Sequence, residues 1–162
     1  MKNIYIIGPV ASGKTTLARK LSKKLNIKMY ELDKIVWDDA RGVKRSDEEI
    51  ALLFAKILNK NSWIIEDVGR NKFREGIKVA DIVYYIDLSK NSLYKRVILR
   101  WIKQMLKIED SNYKQSLKTL KDNLRWVNDD IKNKELKINY CKENAKLFKI
   151  LSKEDIKRLT KI

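Results

Sequence analysis

The chain has 162 residues, enough for one well-buried core and too few for two ordinary domains, so a single domain over 1–162 is expected. It contains no histidine and one cysteine, Cys141, which excludes an internal disulfide and a CxxC metal site and leaves the usual zinc and triad chemistries without their main residue. A net charge of +16, from 37 Lys+Arg against 21 Asp+Glu, would draw in nucleotides or other polyanions, but the excess is lysine spread evenly among asparagine and isoleucine, which reads as solvated surface rather than a nucleic-acid patch.

Residues 3–7, NIYII, form a continuous apolar run with β-branched members that stops at Gly8, the pattern of a strand buried on both faces. The strand-like KNIYIIG follows Met1 directly, where a signal peptide would carry a longer apolar stretch, and nowhere is there the run of about 18 apolar residues that a membrane span requires. A soluble, cytoplasmic protein is expected. After PVASGK, residues 15–25 place Leu17, Ala18, Leu21 and Leu25 on one helical face and Arg19, Lys20, Lys23 and Lys24 on the other. Residues 28–33 read as a short strand closed by Asp33.

Ser46 with Glu49 three residues on is a capping-box signature. It opens an amphipathic helix burying Ile50, Leu53, Phe54, Ile57 and Leu58. Short apolar runs at 62–66 and 82–88 read as two interior strands. A helix is expected over 92–107 and a second long helical stretch over 113–145, then a last strand at 147–151 and a terminal helix capped by Ser152. Strands alternating with helices imply a parallel sheet with helices on both faces, because right-handed crossovers lay each helix against the sheet. Ligands then belong at the carboxyl ends of the strands.

Gly8-Pro9-Val10-Ala11-Ser12-Gly13-Lys14-Thr15 fits GxxxxGK[ST] in full, and it lies between a predicted strand and a predicted helix, the context that separates phosphate-binding loops from chance matches. Its glycines let the backbone curl so that consecutive N–H groups, including those of Ala11 and Ser12, point inward at an anion, and the helix start adds its positive dipole end. Lys14 is then placed to bridge the β- and γ-phosphates of ATP, Thr15 to offer its hydroxyl to Mg²⁺ and Thr16 to bond the α-phosphate.

Such a site wants an acid at the end of a neighbouring strand. Glu66 and Asp67 follow the apolar WII, so at least one should emerge beside the phosphates and serve the metal directly or through water. Asp33 is the candidate for orienting the acceptor hydroxyl or phosphate. Arg96 and Arg100, at i,i+4 on one helix face with Leu93, Val97 and Leu99 packing elsewhere, would supply positive charge for phosphoryl transfer. Arg70 could bind an acceptor phosphate or carboxylate. Trp37 could stack on a ring or cover the core; Trp63, Trp101 and Trp126 read as packing.

On GPVASGKTTLARKL, YELDKIVW, WIIEDVGR and ADIVYYIDLSKNSLYKRVILR, the chain resembles the adenylate-kinase-related P-loop proteins known as DNA topology modulation proteins, within the nucleoside monophosphate and shikimate kinase group. The resemblance implies a three-layer αβα fold with a five-stranded parallel sheet in the order 2-3-1-4-5, a Mg-ATP cofactor pair, an acceptor-binding segment at about 33–75 and a short helical lid at about 100–125. It lays the DGFPR-like stretch of adenylate kinases over Glu66-Asp67-Val68-Gly69-Arg70, leaving open which carboxylate serves the metal, and matches the family's lid-hinge arginines to Arg96 and Arg100. A long or CxxC-type lid insert is absent between Lys107 and Leu117, and the AMP-binding helix of adenylate kinases has no counterpart. The expected activity is phosphoryl transfer from Mg-ATP to a small acceptor; the alternative is a nucleotide-dependent regulatory or nucleic-acid-binding P-loop protein.

Overall fold

The computed structural model describes residues 2–38, 42–109 and 116–161. The chain opens with β1 (Asn3–Ile7) and α1 (Lys14–Leu25), followed by β2 (Met29–Glu31), α2 (Leu32–Val36) and the short arms β3 (Trp37–Asp38) and β4 (Val43–Lys44). Next come α3 (Asp47–Leu58), β5 (Trp63–Asp67), a 3-10 turn (Asn71–Phe73), α4 (Arg74–Val79), β6 (Ile82–Ile86) and α5 (Lys90–Met105). The last elements are α6 (Leu117–Lys132), α7 (Lys134–Asn144), β7 (Phe148–Leu151) and α8 (Lys153–Thr160).

Strands β2, β5, β1, β6 and β7 hydrogen-bond in that order into one sheet, every pair parallel. Counted along the chain, the sheet strands stand in the order 2-3-1-4-5, as expected. The three inner strands are NIYII, WIIED and IVYYI, and their unbroken apolar runs are what burial on both faces demands. The pleat sends successive side chains to opposite faces. Tyr5, Ile7, Trp63, Ile65, Val83 and Tyr85 therefore join one core with residues of α2, α3, α4 and α7. Ile4, Ile6, Ile64, Ile82, Tyr84 and Ile86 join the other with Leu17, Ala18 and Leu21 of α1. A third, smaller cluster of Leu93, Val97 and Val127 fastens α5 to α6.

Local signals act where they were read. Ser46 accepts from the Glu49 amide at 3.2 Å while the Glu49 carboxylate accepts from the Ser46 amide at 3.1 Å, closing the capping box of α3. Ser152 accepts from the Asp155 amide at the start of α8. Three expectations are corrected. Asp33 does not close a strand: β2 stops at Glu31, and Asp33 lies in the first turn of α2. The single long helix is two, α6 and α7, because Asn133 leaves helical geometry (φ −92°, ψ 5°) and its side-chain amide donates to the Asp129 carbonyl, a local bond that competes with helix continuation. Trp126 and Leu99 are exposed rather than packed. The expected helix start at 113 and the middle of the expected lid segment, 110–115, lie outside the described residues. Among the described residues no helix is long and apolar enough to cross a membrane.

Gly76 of α4 lies against two aromatic rings: a Cβ there would stand 2.6 Å from Tyr5 Cε2 and 3.0 Å from Phe54 Cζ. Tyr5 is fully buried and Phe54 nearly so, so neither ring can retreat. Gly76→Ala should lower stability by about 1–3 kcal/mol through overpacking, although alanine alone favours a helix by about 1 kcal/mol over glycine. An unchanged urea midpoint would contradict this packing.

Candidate phosphate and acceptor site

The loop from Gly8 to Lys14 leaves the central strand and enters α1. A side chain at Gly8 would meet Ser12 Oγ at 3.0 Å and the Ile86 carbonyl at 3.1 Å, so its neighbours would have to give way by a few tenths of an ångström to admit one. Ala11 (φ 61°) and Gly13 (φ 98°) are left-handed, and this alternation of backbone sign turns successive N–H groups toward one concave side. Gly13 is the N-cap of α1, and among the described residues no side chain caps that helix start. The Ser12 amide donates to the Pro9 carbonyl at 3.2 Å. Its Oγ is buried and has no hydrogen-bond partner among the described residues.

Lys14 folds back over this loop, its ammonium donating to the Pro9 carbonyl at 2.9 Å. It is buried, and burial holds its pKa below the ordinary value against the opposing pull of Glu66 and Asp130. Thr15 donates its hydroxyl to Glu66 Oε1 at 3.0 Å. Burial raises the Glu66 pKa, opposed by the Lys14 charge and the Thr15 hydroxyl. Thr16 is exposed on the same turn.

Strand parity separates the two acids at the end of β5. Glu66 lies on the face of Ile64, which packs against α1, and Asp67 on the face of Ile65, which packs toward α2 and α4. Register sets Ile6 beside Glu66 and Ile7 beside Asp67, so both acids stand next to the start of the loop. Asp67, buried, accepts from the Gly69 amide at 2.7 Å, the Arg70 amide at 2.6 Å and Arg70 Nη1 at 2.6 Å. Arg70 Nη2 also pairs with Asp33. Burial works against the Arg70 charge, but Asp67 and Asp33 outweigh it and hold the guanidinium protonated.

The structure thus gathers Asp33, Asp67 and Arg70 into one chain of ion pairs beside the loop, with Asp33 largely exposed. Trp37 is 52% exposed rather than in the core. Arg96 reaches the loop, Nη1 donating to the Ser12 carbonyl at 2.8 Å. Arg100 does not: its Nη2 donates to Asn123 on α6 at 3.2 Å. Two residues that the motif reading passed over also touch this region. Asp130 accepts from the Val10 amide at 3.0 Å, and Lys137 donates to the Val68 carbonyl at 2.7 Å. An acid pair, Asp129-Asp130, inside a basic stretch was their one sequence signal.

Hydroxyl and carboxylate oxygens at Thr15 and Glu66 form a hard donor set of the kind Mg²⁺ takes when phosphates and waters complete its shell. Among the described residues no group of three or more histidine, cysteine or acidic side chains is placed to hold a metal.

No family model matches the chain. Among curated proteins, the shikimate kinase of Sulfurihydrogenibium sp. (strain YO3AOP1) is 35% identical over 75 residues, 46% of this chain and 35% of that protein. The shikimate kinase of Legionella pneumophila (strain Corby) is 38% identical over 74 residues, 46% of this chain and 33% of that protein. The chain spans about a third of the length of these curated relatives. Among solved structures, the shikimate kinase from Acinetobacter baumannii in complex with shikimate superposes with a TM-score of 0.63 at 16% identity, covering 99% of this chain and 89% of that one. A gluconokinase from Sinorhizobium meliloti 1021 gives 0.54 at 13% identity, covering 98% and 87%. At these identities the superpositions establish the fold alone, an α/β fold built on a five-stranded parallel sheet.

The raised Glu66 pKa has a testable sign. Between the ordinary value of 4.5 and its higher folded value, the folded chain binds more protons at Glu66 than the unfolded chain does, so this group's contribution to stability is present at low pH and lost as pH rises through that window. The stability difference between wild type and Glu66→Gln should therefore move against wild type as pH increases from about 4.5. Urea unfolding of both proteins across that range measures it, and a pH-independent difference would contradict the burial of this charge.

Proposed function

We propose that this protein is an ATP-dependent small-molecule kinase that transfers the terminal phosphoryl group of Mg-ATP to a small hydroxylated acceptor. One observation carries the reading: a buried lysine ammonium lies over a curled glycine loop while the adjacent Thr15 hydroxyl is held by a strand-end glutamate. The matched relatives named shikimate kinase and the neighbouring gluconokinase fold support it.

In this reading the backbone of Gly8, Ala11, Ser12 and Gly13 cradles the phosphates, Lys14 leaves Pro9 for the β- and γ-oxygens, and Thr16 takes the α-phosphate. Thr15 and Glu66 would hold Mg²⁺, which neutralises charge on the β- and γ-phosphates; Asp67, already occupied by Arg70 and two amides, supports the acceptor side instead. The acceptor oxygen bonds to the γ-phosphorus as the bond to the bridging oxygen of ADP breaks, and the acceptor proton passes to Asp33 or to water. Arg70 binds a negative group on the acceptor, Trp37 offers an exposed ring beside it, and Arg96 and Arg100 contribute positive charge as α5 and α6 close. The acceptor segment at 33–75 and the lid at 100–125 follow from these roles.

A second reading, a nucleotide-dependent regulatory or DNA-binding protein of the topology modulation type, rests on the net charge of +16. It requires DNA affinity that falls steeply with salt. A titration showing no such dependence would remove it.

Lys14→Ala should weaken Mg-ATP binding roughly 100-fold or more, because a charge-assisted contact to the polyphosphate is lost from a desolvated site. Calorimetry tests this, and wild-type affinity in the variant would sink the kinase reading. An acceptor screen over small acids, sugars, nucleosides and nucleoside monophosphates, followed by ADP release, identifies the substrate; wild-type chain that releases ADP with none of them and binds salt-sensitively to DNA would favour the second reading.

A further inference from the structure

The proposed donor loop and acceptor loop are joined by an ion pair that belongs to neither. Asp130 of α6 accepts from the Val10 amide with Oδ2 at 3.0 Å and from the Lys137 ammonium with Oδ1 at 2.7 Å. Lys137 of α7 also donates to the Val68 carbonyl at 2.7 Å, and its stem fills the space beside Gly69, where a Cβ would lie 3.2 Å from Lys137 Cδ. Both side chains are mostly buried, 20% and 12% exposed. The bridge runs from the residue two past Gly8 to the residue just past Asp67, that is, between the loops that leave two adjacent strands. It exists because of the break at Asn133: seven residues along a straight helix advance about 10.5 Å, whereas the turn between α6 and α7 lets Asp130 and Lys137 meet.

A carboxylate beside a polyphosphate-binding loop would repel its ligand unless neutralised. Lys137 supplies the neutralising charge while it ties that carboxylate to the second loop. We propose that Asp130 and Lys137 are a positioning pair that holds the phosphate loop and the Val68–Arg70 loop at a set separation, with Lys137 as the counter-charge that makes Asp130 compatible with a bound nucleotide. The inference rests on the phosphate-loop reading above for its ligand, but the tether itself is read from the Val10 amide.

Hydrogen exchange at Val10 in the full chain, followed by NMR, and Mg-ATP calorimetry together test it. Asp130→Ala should speed Val10 exchange and weaken Mg-ATP binding, each by roughly 10-fold, the size expected of a hydrogen bond to a charged group. Asp130→Asn, which keeps an acceptor and removes the negative charge, should retain Val10 protection and bind Mg-ATP at least as tightly as wild type. Lys137→Met strands the carboxylate and should weaken binding roughly 10-fold, and adding Asp130→Asn to it should restore affinity. Wild-type exchange and affinity in Asp130→Ala, or no rescue in the double variant, overturns the proposal. If Asp130→Ala unfolds, the rescue of Lys137→Met by Asp130→Asn decides alone. Lys14→Ala separates the two readings: unchanged Mg-ATP affinity there condemns the phosphate site, whereas Val10 exchange in Asp130→Ala still judges the tether.

Discussion

Two side chains on consecutive residues of a β-strand cannot face the same layer, and at the end of β5 this constraint divides the site in two. Glu66 falls on the α1 side and holds Thr15. Asp67 falls on the opposite side and holds Arg70, which in turn holds Asp33. The Thr15–Glu66 pair and the Asp33–Arg70–Asp67 chain of ion pairs are thereby placed on opposite faces of the sheet, next to the same loop, by the pleat. The parallel register with β1 brings both acids level with Ile6 and Ile7, one residue short of Gly8.

Burial then sets the electrostatic character around Lys14 and Glu66. Lys14 and Glu66 are both withdrawn from water, and each is pushed toward its neutral form by burial while the other's charge opposes that push. Lys14 donates to a neutral carbonyl, that of Pro9, so its nitrogen is held in a buried position by an uncharged partner. A site of that kind gains from an arriving anion, since Coulomb attraction is strongest where water is excluded. Around Asp67 the charges are already paired, and Arg70 is shared between a buried carboxylate and an exposed one.

Helices α5 and α6 connect this region to the rest of the molecule. Arg96 grips the outside of the phosphate loop through the Ser12 carbonyl, and Arg100 is joined to α6 through Asn123. The i,i+4 spacing puts both guanidinia on one helix face, yet they reach different partners, because α6 packs along the same face through Leu93, Val97 and Val127. Spacing on a helix establishes direction but not partner; the neighbouring helix supplies that.

Much of the architecture was legible because it depends on local chemistry. Unbroken apolar runs marked the three inner strands, the glycines between strand and helix marked the curled loop, and Ser46 and Ser152 marked helix starts. Asp33 was misplaced by an extended pattern that the short α2 interrupts, and Trp37 lies exposed on β3, which pairs with β4 in a separate two-stranded sheet. The break at Asn133 was missed because its polar side chain is unremarkable among many others.

By itself the sequence determined the strand and helix order, the curled loop and the identity of the side chains available at the strand ends, since these follow from period, propensity and steric freedom along a few consecutive residues. Only the tertiary structure decided that Glu66 rather than Asp67 reaches Thr15, that Arg96 rather than Arg100 touches the loop, and that Asp130 and Lys137 bridge two strand ends. Those choices depend on which face each helix covers and on contacts between residues as many as 120 positions apart, and no local pattern encodes which neighbour will be there.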